Sequence, residues 1–303
     1  MSRVLQSVQE FAGEINTNIW SFWRISRRDV PPKDVDLNGA FYVVTGGNRG
    51  FGRGVTLELV SRGAAVIIGA RGESAAREVI QEAANRHPNA PKVSYFPLDL
   101  SSFESINEFS RSVHQLVGAK GLAGLVNNAA LWMPKQTWTP RSAIQEEMDL
   151  TWAVNLFGLV HLTRQMTDLL TEFASKNSER GARIVNVSSL AHLTVPRVDT
   201  CDPMARQRPF EWINNYAETK LALMFYTKQL TKQLAPRGVL VYAVDPGMSQ
   251  TELAHNFGPV TRWAATTVIA RPLMRAPIDG SRSIVFPLLF PRSKYDPKKW
   301  YSG

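Results

Sequence analysis

The fold is decided by one stretch of sequence, Phe41-Tyr-Val-Val-Thr-Gly-Gly-Asn-Arg-Gly-Phe-Gly52, in which an apolar strand runs directly into a glycine-rich turn. A helix-compatible segment, Val55-Thr-Leu-Glu-Leu-Val60, follows the turn. Glycines let the backbone turn tightly and approach a phosphate, and the N-terminus of the following helix offers free N–H groups and partial positive charge. Strand, turn and helix in this order indicate a dinucleotide-binding site rather than a chance cluster of glycines.

Five further short runs of apolar or β-branched residues follow, and long segments that can form helices separate them. They lie at residues 65–69, 93–96, 122–126, 183–187 and 239–244. Buried parallel strands joined by crossover helices have this pattern. The chain is therefore predicted to form an α/β fold, a Rossmann-type doubly wound parallel sheet in a single domain spanning residues 38–303. Residues 252–290 are rich in proline and aromatic residues and give no regular pattern.

The residues after the second predicted strand indicate which nucleotide binds. A carboxylate at this position usually holds the 2′-hydroxyl of NAD, but here the strand ends Gly69-Ala70-Arg71-Gly72 without an acid. Arg71 would attract a 2′-phosphate instead, and Arg49 inside the turn adds a second guanidinium on the same side. The two arginines together favour NADP over NAD.

Residues 1–37 are predicted to form an N-terminal amphipathic appendage to this domain. Apolar residues recur there at spacings of three and four, which is typical of one helix face. They are Val4, Val8, Phe11, Ile15, Ile19 and Phe22. Two tryptophans lie beside this stripe, and arginines follow before Pro31 and Pro32 end the helix. Such a helix either packs on the main domain or lies in a membrane interface through residues 1–28, and the sequence leaves both alternatives open.

The bulk composition, with 44% hydrophobic and 20% charged residues, is that of a soluble globular protein. The formal net charge is +9, but no run of five or more Lys or Arg occurs, so nucleic-acid binding is not expected. Cys201 is the only cysteine, which excludes an internal disulfide and fits a reducing compartment. No long uncharged apolar stretch or signal-peptide core is found. We therefore expect an intracellular protein, either cytoplasmic or on the cytoplasmic face of a membrane.

Tyr216-Ala-Glu-Thr-Lys220 carries the chemistry that the sequence suggests. It sets a phenol and an ammonium four residues apart, and such a pair lies on one side of a helix, one turn apart. A phenol with an ordinary pKa of about 10 is a poor proton donor near neutrality, and a neighbouring cation lowers that pKa. The pattern predicts proton delivery by a phenol that Lys220 makes more acidic. The five histidines show no metal-ligand spacing, so no metal is predicted.

Together these residues resemble the short-chain dehydrogenase/reductase family over residues from about 38 to 290. The turn resembles the family's Thr-Gly-x-x-x-Gly-x-Gly, and Asn127-Asn-Ala-Ala130 resembles its Asn-Asn-Ala-Gly, with alanine in place of the last glycine. Asp99 resembles the family's acid beside adenine, and Pro246-Gly247 with Thr251 resembles its segment along the nicotinamide carboxamide. The predicted cofactor contacts are Gly46, Asn48, Arg49, Gly50, Phe51, Gly52, Arg71, Asp99, Asn128, Tyr216, Lys220, Pro246, Gly247 and Thr251.

The resemblance also implies a catalytic set of four residues, Asn155, Ser189, Tyr216 and Lys220. In the family the tyrosine is the general acid or base, and the lysine also binds the hydroxyls of the nicotinamide ribose. The serine hydrogen-bonds the substrate oxygen, and the asparagine holds a water that leads to the lysine. The segment 188–192, Ser-Ser-Leu-Ala-His, resembles the retinol-dehydrogenase-like branch of the family. Residues 190–215, which contain three prolines, are predicted to form an extended loop on the substrate side.

The apolar residues between positions 253 and 275 are either a lid over the substrate, as in the family, or ordinary core packing. A lid of this composition suggests a lipophilic alcohol/carbonyl pair as substrate. The predicted function is therefore hydride transfer between NADP(H) and a lipophilic alcohol or carbonyl compound. The alternative is a non-catalytic NADP(H)-binding scaffold or sensor on the same fold. Assembly into a homo-oligomer is common in the family, and the sequence of this chain leaves it open.

Overall fold

A sheet of six strands lies at the centre of the part of the protein that the structure describes. The computed structural model describes residues 32, 35–140, 147–199, 202, 206–207, 209–247 and 277–289. Within them the strands are β1 (Phe41–Thr45), β2 (Ala65–Ala70), β3 (Ser94–Pro97), β4 (Gly124–Asn127), β5 (Ala182–Val187) and β6 (Val239–Val244). Their order in the sheet is β3-β2-β1-β4-β5-β6, and every neighbouring pair is parallel. The predicted doubly wound α/β fold is confirmed.

Helices connect the strands and cover the sheet. In the described residues they are α1 (Gly50–Ser61), α2 (Glu73–Arg86), α3 (Phe103–Val117), α4 (Leu150–Trp152), α5 (Gly158–Lys176), α6 (Trp212–Leu234) and α7 (Pro277–Leu289). A π-helical turn, Ala153–Phe157, joins α4 to α5. α1 packs against α2 and α7, and α3 packs against α5. Every residue of β4 and β5 is buried, as expected for parallel strands covered on both faces.

The strand boundaries follow the hydrophobic pattern closely. β1 and β6 begin and end where the sequence predicts, and the other strands differ by one or two residues. β4 begins at Gly124 rather than at residue 122, although Leu122 and Ala123 are fully buried before it. Burial therefore extends beyond the hydrogen-bonded ladder, which explains why an apolar run alone does not fix where a strand starts.

Helix α7 corrects the irregular assignment for residues 277–289, because these thirteen residues are helical despite an internal proline, Pro287. The rest of that segment, including the predicted lid between positions 253 and 275, lies outside the described residues. A Cβ on Gly280 would lie 2.6 Å from Cδ1 of Phe51, so only a glycine allows α7 to approach α1 this closely. Glycine and proline weaken a helical pattern in sequence, but here the glycine serves helix packing. The Phe51 ring is consequently directed at α7.

The topology of the sheet determines which of its edges is expected to bind ligands. The order of connection reverses between β1 and β4, and in open parallel sheets ligands bind at the carboxyl ends of the strands beside such a switch point. The glycine-rich turn follows β1 at this edge, and β4 ends there with Asn127, which Asn128 directly follows. The fold thus brings together segments that are far apart in sequence.

Most of the predicted N-terminal appendage lies outside the described residues. Of its last residues, Leu37 is fully buried in the core of the main domain, and Arg62 Nη1 donates to the carbonyl of Pro32 at 2.6 Å. Among the helices that the structure describes, none combines the length and the apolar character that crossing a bilayer requires.

Candidate active site

The turn after β1 brings the start of α1 against the end of the sheet. Gly46 has a φ of 63° and donates its N–H to the carbonyl of Gly69 at 2.8 Å. Residues with a Cβ rarely adopt this φ, whereas glycine does so readily. A Cβ on Gly52 would lie 2.6 Å from Nδ2 of Asn128, so this position also requires glycine. Gly50, with a φ of 48°, begins the helix between them.

The N-terminus of α1 has the properties of an anion cradle. Arg49 holds the N-cap position in extended backbone, with a φ of −146°. An arginine side chain has no hydrogen-bond acceptor, so it cannot satisfy the first N–H groups as a serine or aspartate cap would. The first turn, Gly50-Phe51-Gly52, contains no acidic residue. This combination of donors and positive potential fits a phosphate group.

The end of β2 lies beside this cradle. The Asn48 side chain donates to the carbonyl of Gly72 at 3.3 Å, and a Cβ on Gly72 would lie 3.7 Å from Arg49 Nη2. Arg71, the residue before Gly72, is exposed. The next acid along the chain, Glu73, is paired with Arg77 of the same helix. Arg71 and the guanidinium of Arg49 therefore both lie near the end of β2.

Polar contacts join β1 to the loop after β4. The Thr45 hydroxyl accepts from the N–H groups of Asn128 and Ala129, at 2.9 and 3.0 Å, and donates to the carbonyl of Val126. Asn128 Nδ2 returns a bond to the carbonyl of Thr45 at 2.9 Å. Asn128 thus fixes the distance between the glycine-rich turn and β4, in addition to its predicted place in the cofactor site.

Other predicted cofactor residues also lie at the carboxyl edge. Asp99 follows β3, and its Oδ1 accepts from the N–H and hydroxyl of Ser101 at 2.9 and 2.6 Å. Pro246 and Gly247 follow β6, and Gly247 has a φ of 82°. Thr251 lies outside the described residues.

Tyr216 and Lys220 lie one turn apart near the start of α6, and both are almost completely buried, at 6% and 2% exposure. The Tyr216 hydroxyl is hydrogen-bonded to Ser189. Lys220 Nζ donates to the carbonyl of Val187 at 2.8 Å and lies 5.7 Å from the centroid of the Tyr216 ring. Ser189 therefore lies just after β5, whose last residue, Val187, also accepts the hydrogen bond from Lys220. The Tyr216 phenol belongs to α6.

The electrostatics of this pair differ from the sequence-based expectation. Burial raises the pKa of Tyr216 above its ordinary value, although the hydrogen bond from Ser189 lowers it and the Asp245 carboxylate raises it further. Burial also lowers the pKa of Lys220 to about 8, against the opposing influence of Asp245. The net shift of the Tyr216 pKa is therefore opposite to the predicted acidification, because burial of the phenol outweighs the other influences on it.

Asn155 lies in the π-helical turn and holds the loop after β4. Its Oδ1 accepts from the N–H of Leu131 at 2.8 Å, and its Nδ2 donates to the Leu131 carbonyl at 2.9 Å and to the Thr219 hydroxyl at 3.1 Å. Both amide hydrogens are engaged, which leaves one lone pair of Oδ1 for a further donor such as water. Single π turns inside helices occur frequently at functional sites.

Sequence reasoning missed three participants of the site. Asp245 acts electrostatically on both Tyr216 and Lys220. The ring of Trp132 stacks on that of Tyr216, with centroids 5.1 Å apart. Thr219, between tyrosine and lysine in sequence, receives the bond from Asn155. The position of Asp245 at the end of the last strand was a signal in the sequence, whereas the stacking of Trp132 is visible only in three dimensions.

Within the described residues, no group of three or more His, Cys, Asp or Glu is arranged to hold a metal ion. His192, close to Ser189 in sequence, donates from Nδ1 to the Ser189 carbonyl at 2.6 Å. This bond supports the loop that presents the serine.

The comparison with known protein families now assigns the chain to a class. The model of the short chain dehydrogenase family matches residues 40–260, so the chain belongs to that family. Human retinol dehydrogenase 13 is 32% identical over 231 residues, which cover 75% of this chain and 64% of the human protein. This similarity confirms the predicted resemblance to the retinol-dehydrogenase-like branch. The match spans less than two thirds of the length of that relative.

Two further similarities extend the comparison. Mouse polyprenol dehydrogenase is 30% identical over 258 residues, which cover 84% of this chain and 73% of the mouse protein. The solved Pseudomonas aeruginosa RhlG/NADP active-site complex superimposes with a TM-score of 0.64 and 22% identity, covering 88% of this chain and 93% of that one. At this identity the solved structure supports the fold.

Proposed function

We propose that the protein is an NADP-dependent oxidoreductase that interconverts a lipophilic alcohol and its carbonyl compound. The observation that carries this proposal is the buried Tyr216 phenol, hydrogen-bonded by Ser189 and flanked by Lys220, at the same sheet edge as the phosphate cradle. A phenol and a hydroxyl beside each other suit a substrate oxygen on which negative charge develops.

The residues of the cradle fit a nicotinamide dinucleotide. The backbone of Gly50 to Gly52 would hold the pyrophosphate, and Asp99 would lie toward the adenine. Lys220 would hold the nicotinamide ribose, because its ammonium is a strong donor placed beside the catalytic phenol. When bound, the reduced cofactor would supply the hydride.

The protein side of the reduction is then a proton transfer. Tyr216 donates its hydroxyl proton to the carbonyl oxygen as negative charge develops there, and Ser189 donates a hydrogen bond to the same oxygen. The Lys220 ammonium stabilises the phenolate that results. The remaining lone pair of Asn155 Oδ1 supports the predicted water through which Tyr216 is reprotonated. Oxidation of the alcohol follows the same steps in reverse.

The preference for a lipophilic substrate is supported by relatives whose names give retinol and polyprenol as substrates. Purified full-length protein should oxidise NADPH in the presence of retinoid or polyprenoid aldehydes, measured as loss of NADPH absorbance, and should turn over small polar carbonyls far more slowly. Binding of NADPH without turnover of any carbonyl would instead favour the scaffold or sensor function.

Arg49 and Arg71 are expected to set the preference for NADPH. Replacing either with alanine should raise the KM for NADPH about tenfold, equivalent to about 1.4 kcal/mol, and leave the KM for NADH nearly unchanged, because only NADPH carries the 2′-phosphate. Arg111→Ala, an equal loss of charge from the exposed arginine on α3, is the control. Equal effects of Arg71→Ala on both cofactors would contradict the assignment.

The N-terminal appendage of residues 1–37, its contact with a membrane and the assembly into a homo-oligomer stay predictions from sequence.

A further inference from the structure

The Tyr216 ring does not stand alone in the site. Trp132 stacks on it with ring centroids 5.1 Å apart and planes inclined by 30°, and Trp132 also lies 5.1 Å from the ring of Trp212 at 38°. Trp212 and Tyr216 are one turn apart on α6, so the Trp132 indole lies across two successive turns of that helix.

The Trp132 indole is held in place by its own contacts. Its Nε1 donates to the carbonyl of Trp212 at 3.1 Å, at the first residue of α6. The preceding residue, Leu131, is bonded through both its N–H and its carbonyl to the side chain of Asn155. Trp132 is therefore held through its ring and through the backbone of the residue that precedes it.

This arrangement bears on the phenol because a tyrosine has two side-chain torsions and its hydroxyl lies at the far end of the ring. The bond to Ser189 fixes only the hydroxyl. Stacking on Trp132 restricts the plane of the ring, which a single hydrogen bond does not do. Stacked aromatic pairs gain about 0.5–1.5 kcal/mol beyond the burial of their surfaces.

We propose that Trp132 is a positioning residue that holds the Tyr216 phenol in the orientation required for proton transfer, a role that rests on the function proposed above. It acts through Tyr216, in contrast to Asn155, which acts on the backbone of the loop. Because displacement of a reacting group by about 1 Å can cost about 10²-fold in rate, removal of the indole should lower kcat and leave cofactor binding intact.

Three variants test this role, with Trp138→Leu as the matched control. Trp138 belongs to the same loop, but its ring faces the guanidinium of Arg206 at 4.8 Å. Trp132→Leu should lower kcat about 10- to 100-fold with the KM for NADPH within about twofold of wild type. Trp132→Phe, which loses Nε1 but keeps a stacking ring, should retain at least about a third of kcat. Trp138→Leu should match wild type.

The result that would overturn the proposal is a Trp132→Leu protein with unreduced kcat, or equal losses in Trp132→Leu and either Trp132→Phe or Trp138→Leu. Thermal melting and NADPH titration accompany each kinetic measurement. If Trp132→Leu fails to fold, Trp132→Phe and Trp132→His replace it, and a loss in histidine but not in phenylalanine supports the stacking role. Retention of kcat in both overturns it.

A second readout separates this proposal from the proposed function. In protein labelled with ¹³C in its tyrosine rings, the Tyr216 signal is assigned by its loss in Tyr216→Phe, and Trp132→Leu should abolish its ring-current shift. If the shift changes but the wild type reduces no carbonyl, the proposed function fails and the contact stands. If the wild type is active and Trp132→Leu keeps its kcat, the positioning role alone fails.

Discussion

Replacing Tyr216 with phenylalanine is expected to lower kcat for carbonyl reduction by about 10²- to 10⁴-fold, the range that a positioned general acid contributes. The change removes one hydroxyl and keeps the ring that stacks on Trp132. The affinity for NADPH should stay within about threefold of wild type, equivalent to less than about 1 kcal/mol. Single-turnover reduction of an aldehyde under saturating NADPH measures the step directly.

The loss of kcat is expected because Tyr216 carries the proton that reduction requires. Burial raises the pKa of Tyr216 above 10.0, so the phenol is protonated throughout the neutral range and available as a donor in reduction. The same shift makes the phenolate, which alcohol oxidation requires, harder to form. Oxidation should therefore accelerate with pH across the alkaline range, whereas reduction does not gain from added base.

Tyr226→Phe is the matched control for this substitution. Tyr226 lies on the same helix, its phenol is bonded to Thr163, and burial raises its pKa to about 12. The control removes the hydroxyl of a partly buried phenol on the same helix, whose hydrogen-bond partner is Thr163 rather than Ser189. Wild-type activity in Tyr226→Phe with a large loss in Tyr216→Phe would support the role of Tyr216. Retained activity in Tyr216→Phe would contradict it.

The sequence predicts the sheet well because parallel strands buried on both faces consist of short apolar runs. This holds for β1, β5 and β6, whose positions agree with the pattern within one residue. It fails for α7, where Gly280 serves contact with Phe51 and Pro287 interrupts the helical pattern. Local periodicity is informative where burial alone determines composition, and it is misleading where packing requires an unusual residue.

The residues of the candidate site also fall into those that the sequence predicts and those that only the structure reveals. The glycines and the tyrosine–lysine pair are predicted from local spacing, whereas Ser189 and Asn155 are predicted from the resemblance to the family. Trp132 reaches the site only through tertiary structure. Thr219 lies between Tyr216 and Lys220 in sequence and Asp245 directly follows β6, but their interactions with the site residues are visible only in the fold. The pKa of Tyr216 was predicted in the wrong direction, because the sequence shows which charges are neighbours but not how far water is excluded from them.

Lys220→Met is expected to lower kcat/KM for carbonyl reduction by about 10²- to 10³-fold at pH 7, because the buried ammonium that stabilises the phenolate is lost. In the wild type the pKa of Lys220 is about 8, so this charge is largely present at pH 7 and is lost as the pH rises further. The wild-type kcat/KM for carbonyl reduction should therefore fall above about pH 8. Lys228→Met, at an exposed lysine of the same helix, should change neither activity nor profile.

The stability of the wild type relative to Lys220→Met should change with pH in the opposite direction to the wild-type activity. Because the pKa of Lys220 falls from 10.5 in the unfolded chain to about 8 in the folded one, the unfolded state binds more protons between these values. The wild type should therefore gain stability over Lys220→Met as the pH rises from about 8 to 10.5, by up to about 3 kcal/mol. Urea unfolding of both proteins at pH 7 and pH 10 measures this change, since other groups titrate equally in each. A constant difference between the two proteins would mean that folding leaves the pKa of Lys220 near 10.5, and the predicted fall of kcat/KM above about pH 8 would then fail as well.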